Sequence, residues 1–130
     1  MDKAEFHRVY GESRNGCNGF IRHPLGRSLR YSDGVQELAE LGCYWLLDIV
    51  ATEVVSAFRK NREEFHRADL IVNVVDNAAQ LELLPTSGAE PAWKRSIEFT
   101  DMPDGTWVFY LQNEGRDGEL DIAMILPMEY

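Results

Sequence analysis

At about residue 66 the spacing of apolar side chains switches from a helical period to a period of two, and no other feature constrains the fold as tightly. Before the switch, Val35, Leu38, Ala39, Leu46, Ile49 and Val50 share one stripe at helical spacing, with Gln36, Glu37, Glu40, Tyr44 and Asp48 opposite. Ser32 or Asp33 supplies the N-cap, because a short side-chain oxygen there accepts a free backbone N–H of the first turn. Gly42 lies on the stripe and predicts a break or kink. The predicted element is one long or kinked helix over about 33–60.

After the switch come DLIVNVV, AQLELL, KRSIEFTDM, TWVFYLQNE and ELDIAMILP, separated by turn-forming residues. DLIVNVV is apolar on both faces, which suits a central strand. Ile97 and Phe99 are expected inward around an outward Glu98. Trp107, Phe109 and Leu111 share one face, as do Leu120, Ile122, Met124 and Leu126. Short turns predict antiparallel neighbours. The expected fold class is therefore α+β, with the helix packed on an antiparallel sheet of about five strands over about 66–127. A chain of 130 residues, 45% apolar, suits a single domain over 1–130 with its own core. Residues 1–31 read as a basic loop or extended N-terminal segment within it. There FIRHPLGRSLRY admits either two short strands around PLG or an extended arm.

Catalytic chemistry is harder to find. CYWLLD could form an aromatic pocket with Asp48 as acid or base. Aromatics at helical spacing usually fill cores, so Trp45 reads as a core anchor and Asp48 as solvated. His7, His23 and His66 with Cys17 lack the two close ligand pairs of a structural zinc site. They read as surface or turn residues, and no metal or other cofactor is expected. Nucleophile-elbow, phosphate-loop and zinc-protease motifs do not occur, so a non-enzymatic protein is expected. A small enzyme with a site built from distant residues is the alternative. Cys17 and Cys43 read as free thiols. The start has no signal-peptide core, and CYWLLDIVATEVV is interrupted by Asp48 and too short to span a bilayer, so a cytoplasmic location is expected.

The formal net charge is −9, and most of the excess falls in the strand half. Residues 63–130 carry 14 acidic side chains against 4 basic ones. Glu82, Glu98 and Asp121 are expected on the polar sheet face. Asp101 and Asp104 crowd one turn, and Glu114, Asp117 and Glu119 another. Gathered into one surface, such carboxylates would compete with phosphates for arginines and lysines. The plainer alternative is solubility. RHPLGRSLR is basic but lacks stacking aromatics and a wider basic patch, so it reads as a segment docked on the protein's own acidic surface rather than a nucleic-acid contact.

Two stretches carry a resemblance. Within HPLGRSLRYSDGVQELAELGCYWLLD, the segment Tyr31-Ser32-Asp33-Gly34-Val35 precedes Tyr44-Trp45-Leu46-Leu47-Asp48. That pair resembles the hallmark of a domain-of-unknown-function family of small proteins from bacteria, their phages and plasmids. The closing ILPMEY, Ile125 to Tyr130, resembles the end of its members. No activity and no functional residue carries over, but the resemblance implies a mobile-element setting. Joined with the charge, it gives the functional expectation. This would be an acidic binding protein that inhibits a host nucleic-acid-handling complex, such as a CRISPR effector, by occupying its basic surface as a nucleic-acid mimic. Glu82, Glu98, Asp101, Asp104, Glu114, Asp117, Glu119 and Asp121 are the expected contacts, with no direct contact to nucleic acid or membrane. The alternative is a regulatory or structural interaction domain, such as a homodimer, that uses an apolar patch.

Overall fold

The computed structural model describes residues 1–12, 19–60, 66–85, 90–116 and 118–130. Arg14, Cys17, Glu63, Glu64 and Asp117 lie outside the described residues. Among the described residues seven strands form one sheet: β1 Phe20–Arg22, β2 Leu29–Ser32, β3 Arg67–Val75, β4 Ala78–Pro85, β5 Trp93–Ile97, β6 Gly105–Asn113 and β7 Ile122–Ile125, in the order β1-β2-β7-β6-β3-β4-β5. The five expected strands are β3 to β7. The count of about five is corrected to seven by β1 and β2, which form a hairpin at the edge. The sheet is also mixed. β2 runs parallel to β7, and every other neighbouring pair is antiparallel. β2 feeds directly into the long helix, and its partner arrives from the far end of the chain, so no turn signal announces the pairing.

The N-terminal segment is a second correction, because Lys3–Gly11 is a helix, α1. The Asp2 carboxylate accepts the Glu5 N–H at 3.0 Å and caps it, and Phe6 and Val9 on its inner side are buried. The long helix runs over Asp33–Lys60. It comprises α2 Asp33–Leu38, α3 Tyr44–Ile49 and α4 Val55–Lys60, joined by π-helical turns at Ala39–Cys43 and Val50–Val54. Gly42 adopts φ 129°, open to glycine, and the helix kinks there as expected. With 28 residues the helix is long and apolar enough to cross a bilayer by length and composition. Its stripe is instead packed inside the protein: Val35, Leu38, Leu46, Val50, Val54 and Phe58 join the inward side chains of the sheet in one core.

On the sheet, Leu70, Val72, Leu81, Leu83, Phe109, Leu111 and Met124 are buried under this layer. The opposite face is only partly covered. Ile71, Val108, Tyr110 and Ile125 are half-buried on it, and Val75 is 62% exposed. The two-sided apolar pattern of β3 thus marks a central strand with one open face. Phe99, expected inward, is 72% exposed, because β5 ends at Ile97 and the chain bends away. Asp76 and Asn77 have φ 51° and 64° and close the β3–β4 hairpin as a two-residue turn, a conformation these side chains tolerate.

Candidate functional site

Among the described residues the acidic side chains do not form one surface. β6 separates them: Asp104 immediately precedes it and Glu114 follows it, about 33 Å apart across its nine extended residues. At the first end, Glu98 and Asp104 are exposed beside Asp76 of the β3–β4 turn. The Thr100 N–H donates to the Asn77 carbonyl at 2.7 Å and ties that turn to the β5–β6 connection. Asp101 lies there too, bound to the Met1 ammonium at 2.8 Å, which holds its carboxyl below the ordinary range. Asp76, Glu98 and Asp104 have no cationic partner among the described residues.

At the second end the charges are answered. Arg22 donates to Asp121 at 2.7 Å. Arg30 bonds Glu114, and its Nε stands 3.5 Å from Asp121. The basic hairpin is thus docked on the protein's own carboxylates. Glu119 is exposed in the turn before β7. Glu82 sits apart on the open face of β4, in register with Ile71 and Lys94.

Two further polar clusters bind distant segments together. The carboxylate of Glu129, 4% exposed, accepts from Ser32 Oγ–H, from the Leu126 N–H at 2.9 Å and from the Gly34 N–H at 3.3 Å. Ser32 Oγ in turn accepts the Val35 N–H at 3.2 Å. A carboxylate at the positive end of α2 is electrostatically favoured. Gly34 leaves room for it, since a Cβ there would lie 2.7 Å from Glu129 Oε2. In the other cluster His23, 5% exposed, is buried rather than on the surface. Its Nδ1 accepts the N–H groups of Leu25 at 3.2 Å and Gly26 at 2.9 Å, and its Nε2 lies 2.9 Å from Asp48 Oδ1. With Nδ1 accepting, Nε2 carries the proton and donates to Asp48. Both ring nitrogens are engaged, so this histidine–aspartate pair holds the hairpin on the helix and offers no free base.

Among the described residues no three histidine, cysteine or carboxylate side chains converge as a metal site would require. Burial pushes the Cys43 thiol up to about 12, so it is held as an unreactive core side chain. A cleft of about 370 Å³ runs between the long helix and β5, lined by Thr52, Glu53, Ser56, Ala57, Lys60, Ala92 and Trp93, and its carboxylate Glu53 is paired with Arg95.

Residues 12–130 match the Family of unknown function (DUF6876). The chain belongs to that family. Neither curated proteins nor solved structures provide a match. In this DUF6876 member, both stretches that carried the resemblance have structural work. YSDGV and PMEY meet at the Ser32–Gly34–Glu129 cluster, and HPLG and YWLLD meet at the His23–Asp48 pair. In the sequence Glu129 is one of many acids, and nothing in its local spacing signals burial. The signal for His23 was present in the turn residues Pro24 and Gly26 around it. α1 lies before the DUF6876 match begins.

Proposed function

We propose that the domain is a non-enzymatic binding protein that places the acid-rich first end of its sheet on a cationic, nucleic-acid-contacting surface of a protein complex and thereby inhibits that complex. A CRISPR effector is the specific target to test first, in keeping with the mobile-element setting that the resemblance implies. One observation carries the reading. Asp76, Glu98 and Asp104 are exposed, share one end of the sheet and lack cationic partners among the described residues, whereas Glu114 and Asp121 are neutralised by Arg22 and Arg30. Unpaired carboxylates keep their full capacity to attract a cationic groove. Phe99 and Val75, both exposed at the same end, supply apolar area beside the charge.

The test combines Asp76→Asn with Glu98→Lys and Asp104→Lys. Asparagine suits the positive φ of position 76, so the hairpin turn is preserved. Expression of the wild type in a CRISPR-competent bacterium should protect an incoming targeted plasmid, and the triple variant should not. Complexes retained on the wild-type protein at low salt should be released by high salt. A folded triple variant that protects as well as the wild type defeats the reading.

A further inference from the structure

We propose that the tip of the β1–β2 hairpin, Pro24 to Arg27, is a preformed docking knob, with Leu25 entering an apolar pocket on a partner protein and Arg27 pairing with an acidic group on the rim of that pocket. Single exposed leucines are ordinary on protein surfaces, so the 90% exposure of Leu25 argues nothing alone. What distinguishes Leu25 is how firmly its backbone is fixed. The buried ring of His23 accepts the N–H groups of both Leu25 and Gly26 and is itself held by Asp48. Gly26 lies so close to the helix that a Cβ would stand 2.6 Å from the Ala51 Cβ. The Leu29 N–H donates to the Gly26 carbonyl at 3.0 Å, and the Arg22 guanidinium donates to the Arg27 carbonyl at 3.0 Å. Pro24 restricts φ before the leucine.

Anchoring a hairpin to a helix does not require an apolar side chain in water at its apex. Rigid display of one is what an interface anchor requires, because the ordering cost is met before the partner arrives. The charge of the tip indicates the complement. Arg22 and Arg30 are ion-paired, but Arg27 is exposed and has no ion-pair partner among the described residues. An acidic rim around the pocket matches it. The tip lies at the opposite end of the sheet from Asp76, Glu98 and Asp104, so this surface stands independently of the acidic one.

The experiment immobilises the full chain and its variants, passes bacterial lysate over them, and quantifies every retained protein against the wild type. At least one protein should fall about tenfold with Leu25→Ser, as expected for losing a buried leucine. It should also fall with Arg27→Glu and be kept by Leu25→Met and by Glu98→Lys/Asp104→Lys. Melting temperatures of the Leu25 and Arg27 variants should match the wild type, because both side chains are exposed and Arg27 has no ion-pair partner among the described residues. Retention that Leu25→Ser leaves unchanged, or no retained protein at all, overturns the proposal. Leu25-dependent binding to anionic phospholipid vesicles would overturn it in favour of a membrane surface.

Discussion

Glu129 is the residue whose chemistry departs furthest from its composition class. In a chain with 22 acidic side chains, this one is buried among three donors at the start of the long helix. Removing a buried acceptor leaves each donor unsatisfied at about 1–3 kcal/mol. Glu129→Ala should therefore destabilise the protein by roughly 3 kcal/mol or more, and Glu129→Gln by less, since one amide oxygen remains to accept. Gly34→Ala should reach a comparable loss by another route, because its methyl group would overlap the Glu129 carboxylate, and overpacking costs about 1–3 kcal/mol. Urea unfolding midpoints of the three variants check this. Equal stability of Glu129→Ala and the wild type would mean that the buried carboxylate contributes nothing to holding the C-terminus on the helix.

Among the elements, α1 covers part of the β6 edge that β7 leaves unpaired. β7 pairs with β6 only from Tyr110 to Asn113, which leaves the first half of that β6 edge without a strand. The Tyr10 hydroxyl stands in for one: it accepts the Val108 N–H at 2.8 Å and donates to the Val108 carbonyl at 3.1 Å. Burial raises the Tyr10 phenol, which therefore stays protonated and able to donate. Phe6, His7 and Tyr10 all pack against Trp107, whose indole N–H reaches the Pro103 carbonyl. Tyr10→Phe keeps the packing and strands both Val108 groups, so a loss of about 1–3 kcal/mol is expected. Amide exchange at Val108 should accelerate far more than at Leu70, and unchanged exchange there would refute the edge-capping role. The elements also differ in how legible they were. The kinked helix and β3 to β7 followed from side-chain period and turn residues, which are local. α1 carried a readable Asp2 cap and apolar Phe6, Val9 and Tyr10, but its glycine-rich continuation made the segment read as a loop. The parallel β2–β7 pairing rests on contacts between opposite ends of the chain, which local pattern does not encode.

For the molecule as a whole, the candidate surface was half legible. The acid excess could be counted, but its division into paired and unpaired groups depends on which strand end each residue reaches. That division separates two variants of similar charge. Asp76→Asn/Glu98→Lys/Asp104→Lys removes repulsion among carboxylates without internal cations, so its melting temperature at low salt should equal or exceed that of the wild type. Glu114→Lys/Asp121→Lys also moves the net charge toward zero, yet it replaces attraction with repulsion against Arg22 and Arg30. Exposed pairs are each worth about 0.2–1 kcal/mol. Losing and reversing these three should lower the melting temperature by about 3–6 °C. High salt should shrink both differences, because exposed charges are screened within about 10 Å. If the two variants shift stability in the same direction at low salt, net charge alone governs the molecule, and the distinction between a neutralised and an available acidic end falls with it.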